Sequence, residues 1–185
     1  MNNKKIKLVA YIGKSASGKD TIVNRILTAN QCAWHEIISC TTRPPREGEV
    51  NGVNYFYLTG EQFADKMLNN EMLEATMFNN WFYGTTYESL RSDCINIGVF
   101  NPAGVEALML HKDIEVQVYY VRATDKVRLL RQLNREEDPD VQEIIRRYKA
   151  DETDFADLDF DYIELENNTL EDLDTAVKKI LGKNS

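Results

Sequence analysis

The stretch YIGKSASGKDT, residues 11–21, carries the strongest indication of the fold. Gly13 is followed by four residues and then by Gly18 and Lys19, the spacing of a loop that binds nucleotide phosphates. In such a loop, successive backbone N–H groups point into one concave nest and the following helix adds its positive end. A strand pattern, KIKLVAYI, precedes the loop, and a helical pattern, KDTIVNRILTA, follows it. This context favours a nucleotide site over a chance cluster of small residues.

Asp20 stands where such loops normally place a Ser or Thr, whose hydroxyl binds Mg²⁺. One interpretation is that the Asp20 carboxylate binds Mg²⁺ directly or through water. A second gives the metal to Thr21 and makes Asp20 a cap of the helix N-terminus. A third is a nucleotide site that no longer works. Because Gly13, Gly18 and Lys19 are all present, a working loop is the better interpretation.

Bulk composition excludes several classes of protein. The 185 residues are 43% hydrophobic and carry a net charge of −8, which fits one globular domain and argues against broad nucleic-acid or anionic-membrane binding. Six arginines nevertheless fall within residues 122–147, so a local anion site is compatible with the acidic total. Three cysteines without a close pair and two distant histidines argue for a reducing compartment and against a metal cage built from side chains. No apolar run is long enough for a signal peptide or a membrane span, which predicts a cytoplasmic protein.

Strand patterns alternate with helical patterns, which predicts an α/β fold with a parallel sheet covered by helices. The helix after the loop places Ile22, Ile26 and Ala29 on one face. The later predicted strands are HEIISCT, CINIGVF, IEVQVYYV and DYIEL. The later predicted helices are GVEALMLH, TDKVRLLRQLN and LEDLDTAVKKIL.

The pattern changes within residues 41–91, which are rich in glycine, proline and aromatic residues. VNYFYL is typical of a strand, Thr59 and Gln62 form a capping box for a helix, and MLEATMF and WFYG predict a hairpin across Asn79 and Asn80. We interpret this segment as a small mixed lobe inserted after the second strand. Further on, NREEDPD separates two helices, with Asp138 expected as N-cap and Pro139 as the first helical residue.

A second anion site is indicated by SCTTRPPREGEVNGVNYFYLT, residues 39–59. Arg43 and Arg46 lie on a proline-stiffened segment that can present two guanidinium forks to a phosphate, and Tyr55 and Tyr83 offer hydroxyls. Glu74 lies in an apolar run where a carboxylate needs a partner, and the ring N–H and exocyclic amine of guanine match two carboxylate oxygens. The alternative is that the arginines are surface residues and the tyrosines only pack.

With GKSASGK, SCTTRPPREGEVNGVNYF, EMLEA and FYGTTYESL, the sequence resembles the guanylate kinases, nucleoside monophosphate kinases of the P-loop class, over essentially the whole chain. The resemblance implies a three-layer P-loop NTPase fold with a parallel core sheet, a small inserted mixed α/β acceptor-binding lobe and a helical lid. It implies one domain, with core residues 1–40, 92–130 and 156–185, the lobe in residues 41–91 and the lid in residues 131–155. The implied reaction is phosphoryl transfer from ATP to GMP or dGMP with Mg²⁺, giving ADP and GDP or dGDP. The implied partners are small-molecule nucleotides, not nucleic acid or membrane.

The resemblance also assigns site residues. It implies that the ATP phosphates are bound by the loop residues Gly13, Lys14, Ser15, Ala16, Ser17, Gly18, Lys19, Asp20 and Thr21. The acceptor phosphate would be held by Arg43, Arg46, Tyr55 and Tyr83, and the guanine by Ser39, Glu74 and Thr85. The catalytic residues would be Lys19 and the lid arginines Arg131, Arg135 and Arg146. Arg128 and Arg147 would be neighbours that face solvent or acidic residues, and Asn167 or Asn168 would lie near the adenine contacts.

Two residues depart from the family pattern. One is Asp20, and the other is Asn101, where the family usually has an aspartate that helps to read the acceptor nucleotide. An amide both donates and accepts, so this exchange can shift recognition of base or sugar. Both departures are similar to the ribose-bisphosphate phosphokinases, but that group lacks the RPPREGE…Y block present here. The alternatives are therefore a related kinase with another acceptor, such as another deoxynucleoside monophosphate or ribose 1,5-bisphosphate, and a non-catalytic binding module. Such modules usually lose the loop lysine and the lid arginines.

Overall fold

The structure, a computed structural model, describes residues 5–30, 32–46, 48–78, 80–135 and 137–183. The strands are β1 Ile6–Ile12, β2 Trp34–Glu36, β3 Cys40–Thr41, β4 Phe56–Tyr57, β5 Met72–Phe78, β6 Trp81–Thr86, β7 Ile95–Val99, β8 Ile114–Arg122 and β9 Ile163–Glu166. The helices are α1 Lys19–Ala29, α2 Gly60–Leu68, α3 Pro102–Met109, α4 Asp125–Leu133, α5 Val141–Asp154 and α6 Leu170–Lys183.

Two sheets contain these strands. The five-stranded sheet has the order β2-β7-β1-β8-β9, with β2 parallel to β7 and β8 parallel to β9. The four-stranded sheet has the order β4-β3-β6-β5 and is mixed, because β3 runs parallel to β4 while β6 is antiparallel to both β3 and β5. The predicted α/β class, with a parallel core sheet and a small mixed sheet, is confirmed.

The chain divides into two compact units. The first comprises the described residues of Met1–Val9, Cys32–Gly98 and Ala103–Val116, and the second comprises those of Ala10–Gln31, Val99–Pro102 and Gln117–Ser185. Each unit has buried apolar side chains of its own. Those of the first unit include Leu8, Phe63, Leu73, Ile97, Val105 and Leu108. Those of the second include Tyr11, Ile22, Ile26, Val118, Tyr119, Leu165 and Ile180.

Helix α1 begins at Lys19 and ends at Ala29, as predicted. On the predicted face, Ile22 and Ile26 are buried and Ala29 is exposed. Val23 is the third buried residue of the helix.

The predicted second strand, HEIISCT, is wrong as a single element. It covers the last two residues of β2 and all of β3, which belong to different sheets: His35 pairs with Asn96, whereas Cys40 pairs with Phe56 and Gly84. A run of apolar residues does not show with which strand each part will pair, so the change of sheet could not be read from the pattern.

The inserted segment follows its turn and capping signals closely. The Thr59 hydroxyl accepts a hydrogen bond from the Gln62 N–H at 3.1 Å, and the Gln62 side chain accepts one from the Thr59 N–H at 2.9 Å, so the predicted capping box is confirmed. Strands β5 and β6 form the predicted hairpin, with Phe78 opposite Trp81, while Asn79 lies outside the described residues. The predicted strand VNYFYL is reduced to the two residues of β4.

Helix α5 begins two residues later than predicted. Its N-cap is Asp140, whose carboxylate accepts from the N–H groups of Gln142 and Glu143 at 3.0 and 3.1 Å. The expected cap at Asp138 and helix start at Pro139 are wrong, because Asp140 offers the same carboxylate and reaches both amides of the first turn. No helix among the described residues is long and apolar enough to cross a membrane.

Candidate active site

The loop between β1 and α1 requires glycine at two positions. Gly13 has φ of 154°, and a Cβ at this residue would lie 2.4 Å from the carbonyl oxygen of Val121. Gly18, the N-cap of α1, has φ of 92°, and its Cβ would lie 2.2 Å from Nδ2 of Asn167. At Gly13 the contact is with backbone and excludes a side chain, whereas at Gly18 the Asn167 side chain would have to move. The positive φ of Gly18 adds a second reason for glycine there.

The carbonyl groups of the loop are bound from outside by donor side chains. The Lys19 ammonium donates to the Gly13 carbonyl at 2.6 Å, Nη1 of Arg131 donates to the Ser17 carbonyl at 3.2 Å, and Nδ2 of Asn167 donates to the same carbonyl at 2.7 Å. A second guanidinium nitrogen of Arg131 donates to the Asn167 carbonyl at 2.9 Å. With the carbonyls held in this way, the loop leaves N–H groups for a ligand.

Those N–H groups form the anion-binding part of the loop. Within the described residues, no acceptor takes the backbone N–H of Ala16 or Gly18. Ala16 has φ of 59°, a left-handed conformation that turns successive N–H groups into a concave nest. The first N–H groups of α1, beginning at Lys19, add the positive end of that helix. The geometry is that of a phosphate-binding loop.

Lys19 is partly buried beside this nest. Burial lowers the pKa of its ammonium, whereas the carboxylates of Asp20 and Asp151 raise it and Arg128 lowers it further. A triphosphate in the nest would favour the charged form by adding negative charge.

Asp20 and Thr21 are both exposed in the first turn of α1. Gly18 is the N-cap of this helix and no side chain caps it, so the interpretation of Asp20 as a cap is wrong. The reason is positional: Asp20 is already the second helical residue, and its carboxylate is not at the position from which a cap accepts. Its charge still lies at the favourable end of the helix dipole.

Ser15 is held by a buried ion pair that the sequence did not indicate. Its N–H donates to both carboxylate oxygens of Asp151 at 2.9 and 3.1 Å, and its hydroxyl donates to one of them at 3.1 Å. Arg128 donates to the Ser15 carbonyl at 2.9 Å and also binds the Asp151 carboxylate. Arg128 therefore faces acidic residues and is 2% exposed, which excludes the alternative that it faces solvent. Asp151 was missed because no local pattern links α5 to the loop.

The arginines expected on the lid differ in their surroundings. Arg131 contacts the loop, whereas Arg135, just after α4, is exposed. Arg146 and Arg147 both donate to Glu143 on α5, at 2.6 and 2.8 Å for their Nε atoms. Within the second unit, the structure thus brings Arg131 to the loop and places Arg146 in an ion pair on its own helix.

The first unit contains the residues predicted to bind the acceptor phosphate. Arg43 lies over the ring of Tyr55, with 5.6 Å from its guanidinium carbon to the ring centroid, and the rings of Tyr55 and Tyr83 meet edge to face at 5.9 Å. Arg46 is exposed on the neighbouring turn. Arg43, Tyr55 and Tyr83 are therefore brought together, with Arg46 close in sequence.

Glu49 organises this cluster and was missed in the sequence. Its two carboxylate oxygens accept from the two terminal nitrogens of Arg43, both at 2.9 Å, and it also accepts from the Tyr57 hydroxyl at 2.8 Å and the Arg46 N–H at 2.8 Å. The hydrogen bond from Arg43, helped by the Arg46 N–H, lowers the pKa of Glu49 to about 2. The sequence signal that could have indicated this ion pair is the position of Glu49, six residues after Arg43 on a proline-stiffened turn.

The residues predicted to contact guanine also meet in the first unit. Glu74 on β5 pairs with Thr85 on β6, and the Thr85 hydroxyl lies 3.3 Å from that of Ser39. Glu74 is 8% exposed, and burial raises the pKa of its carboxyl to about 7, although a hydrogen bond from Thr85 opposes the shift. Asn101, in contrast, is exposed at the start of α3 and belongs to the second unit.

Comparisons with known proteins agree on one family. The guanylate kinase family model matches residues 5–184. The guanylate kinase of Chlamydia muridarum is 30% identical over 162 residues, which cover 85% of this chain and 78% of that protein. Those of Mesoplasma florum and Mycoplasmoides gallisepticum are 44% and 42% identical over 79 and 85 residues, so that the chain matches only 27% and 44% of their lengths.

A solved guanylate kinase from Anaplasma phagocytophilum shares the fold. Its TM-score is 0.64 at 18% sequence identity, and the match covers 97% of this chain and 87% of that one. Together with the family model, which spans nearly every residue, and with the loop and carboxylate geometry described above, these matches show that the chain belongs to the guanylate kinase family.

Proposed function

We propose that this chain transfers the γ-phosphoryl group of ATP to GMP or dGMP, releasing ADP and GDP or dGDP. The observation that carries the proposal is the buried Glu74 carboxyl beside Thr85 and Ser39. A buried carboxylate needs donors for both of its oxygens, and Thr85 supplies one hydrogen bond. The adjacent ring N–H and amine of guanine can supply two more donors. Adenine, cytosine and uracil do not present that pair of donors.

The donor side of the reaction is supported by the loop. Phosphoryl transfer needs positioning and positive charge more than covalent chemistry. Lys19 and the N–H groups of Ala16 and Gly18, which have no acceptor in the described part of the chain, can supply both. Arg131 is held against the loop, and we propose that it, Arg135 and Arg146 neutralise the charge that develops on the transferred group. The segment of residues 131–155 is the proposed lid.

The acceptor phosphate is proposed to bind Arg43, Arg46, Tyr55 and Tyr83, within an acceptor lobe formed by residues 41–91. Glu49 holds the Arg43 guanidinium by two hydrogen bonds, which fixes the plane of the fork before any ligand binds. A guanidinium in a fixed plane loses less entropy when it binds a phosphate. Asn101 remains the proposed contact for the acceptor's base or sugar.

Asp20 and Thr21 are the proposed Mg²⁺ ligands. Both oxygen-bearing side chains are exposed in the first turn of α1, directly after Lys19, and Mg²⁺ favours one or two protein oxygens combined with phosphate oxygens. Bound there, Mg²⁺ would supply positive charge that offsets the negative charge of the phosphates. We also propose that the protein is cytoplasmic, since Cys32, Cys40 and Cys94 are free thiols.

The test is an assay of ADP release with GMP, dGMP, AMP, UMP, CMP and ribose 1,5-bisphosphate as acceptors. Turnover restricted to GMP and dGMP supports the proposal. Turnover with ribose 1,5-bisphosphate or another nucleotide alone would replace it by a related kinase activity. Nucleotide binding without turnover of any acceptor would indicate a binding module.

A further inference from the structure

A buried ion pair holds every polar group of Ser15, the third residue of the phosphate loop. The N–H and the hydroxyl of Ser15 donate to the carboxylate of Asp151, and its carbonyl accepts from Arg128. Asp151 is 7% exposed and Arg128 is 2% exposed. One residue from α4 and one from α5 therefore hold the loop at Ser15.

The Arg128–Asp151 ion pair is supported by further contacts on the two helices. The Arg128 guanidinium lies over the ring of Tyr148 on α5, at 4.5 Å from the ring centroid, and donates to the Asp125 carboxylate at 2.8 Å. The Tyr148 hydroxyl donates to the Asp125 carbonyl at 2.9 Å. Each of the three guanidinium nitrogens thus donates a hydrogen bond and one face lies on Tyr148, so that contacts with both helices orient the Arg128 side chain.

Stability alone is a poor explanation for such a pair. Removing two charges from water costs about as much as their attraction returns, and apolar residues of similar volume often serve as well. The ion pair provides directed hydrogen bonds that apolar residues cannot provide. The Asp151 carboxylate and the Arg128 guanidinium fix the direction of the Ser15 peptide groups. Ser15 immediately precedes Ala16, whose N–H has no acceptor within the described residues.

We infer that Asp151 and Arg128 are positioning residues, which hold the loop in its phosphate-binding shape before ATP arrives. The inference rests on the proposed function and deepens it, since it assigns a role in ATP binding to two residues that touch neither substrate. The Asp151 carboxylate acts on Ser15, and Ser15 fixes the backbone at Ala16, where the left-handed φ of 59° turns the next N–H groups towards the nest.

The test compares three variants with the wild-type chain. Asp151→Asn keeps the shape of the side chain but leaves one acceptor oxygen where two are needed. The double variant Arg128→Met/Asp151→Leu replaces the ion pair by apolar side chains, which avoids a buried unpaired charge. Glu152→Gln is the matched control, because it removes one negative charge from an exposed position of the same helix. The measurements are the Kd for ATP by calorimetry, the KM values for ATP and GMP, and the Tm.

Asp151→Asn is expected to raise the Kd and KM for ATP by about 10- to 100-fold, the usual effect of losing a buried hydrogen bond to a charged group. The KM for GMP is expected to change by less than about two-fold, as is every constant of Glu152→Gln. The double variant is expected to regain the wild-type Tm while its ATP affinity stays low. If the ion pair only stabilised the fold, a double variant with the wild-type Tm would also have the wild-type affinity for ATP.

Two outcomes would overturn the inference: wild-type ATP affinity in the double variant, or an equal loss of ATP affinity in Glu152→Gln. The proposed function fails in a different way. If the wild-type chain binds ATP but phosphorylates no acceptor, the kinase assignment is lost, and the positioning role is still decided by the ATP affinities of the variants.

Discussion

The phosphate loop, residues 13–21, and the proposed guanine cluster of Ser39, Glu74 and Thr85 present different kinds of group to a ligand. In the loop the ligand-facing groups are backbone N–H groups, and side chains such as Arg131 and Asn167 bind the carbonyls behind them. In the cluster the ligand-facing groups are side chains, and the central one, Glu74, is a buried carboxyl with a pKa of about 7. The first site depends on geometry and the second on charge, so substitutions in the two regions should fail in different ways.

The largest effect is expected for Lys19→Met. Among the residues described, the Lys19 ammonium donates to the loop carbonyls of Gly13 and Lys14, at 2.6 and 3.2 Å. Its loss should reduce kcat by about 10³-fold, as when a preorganised charge at the reacting group is removed. Steady-state kinetics check this, with Lys126→Met, exposed on α4, as the control. A loss below about ten-fold would mean that the loop acts through its N–H groups alone.

Glu74→Gln should break the guanine cluster while leaving the loop intact. A glutamine amide accepts with only one oxygen and presents an N–H₂ group to the donors of guanine, so the KM for GMP should rise by about 10²-fold. The KM for ATP should stay within about two-fold. Equal losses for both nucleotides would contradict the separation of the two sites and would point to a folding defect.

In the absence of ligand and above about pH 7, the Glu74→Gln variant should be more stable than the wild-type chain. The folded pKa of Glu74 is raised, so its protonated form favours the folded state, and this contribution is lost as the pH rises through about 7. Above that pH, Glu74→Gln should therefore gain up to about 3 kcal/mol in the free energy of unfolding. Urea denaturation at pH 8 measures the gain, and a loss of stability there would show that the hydrogen bond from Thr85 outweighs the cost of burying the carboxylate.

A smaller effect is expected from pH on the wild-type chain. Guanine needs the ionised carboxylate, and protonation of Glu74, whose pKa is about 7, competes with binding below that value. The KM for GMP should rise about ten-fold from pH 8 to pH 6. The acceptor's own phosphate also titrates in this range, so the comparison is with Glu74→Gln, in which the part due to Glu74 should disappear. A KM for ATP that follows the same curve would contradict the assignment.

The smallest effect is expected for Asp20→Asn, which tests whether the loop site needs any acidic side chain. If the exposed Asp20 carboxylate binds Mg²⁺, the Mg²⁺ concentration for half-maximal activity should rise by about three- to ten-fold, because an amide oxygen is a weaker ligand. Titration with Mg²⁺ at fixed ATP measures this. An unchanged midpoint would assign the ligand role to Thr21, and Thr21→Val would then show the shift.

The sequence predicted the parts of the fold that depend on local pattern. The spacing of Gly13 and Gly18, and the capping box of Thr59, are short-range signals, and the structure has them at the expected positions. The separation of HEIISCT into two sheets was not predictable, because strand pairing is decided by distant residues. The contact of Ser15 with Asp151 is likewise hidden, since 136 residues separate them and an aspartate in a helix has no pattern of its own.

The outward binding of the loop carbonyls has a consequence for donor choice. A nest of backbone N–H groups contacts phosphate oxygens, which are identical in ATP, GTP, CTP and UTP. Binding of the triphosphate by the loop therefore does not depend on the base. Any preference for one phosphoryl donor has to come from side chains outside the loop segment of Ala16 and Gly18. Such a loop is expected to accept several nucleoside triphosphates as donors, whereas the proposed contact of Glu74 with guanine would restrict the choice of acceptor.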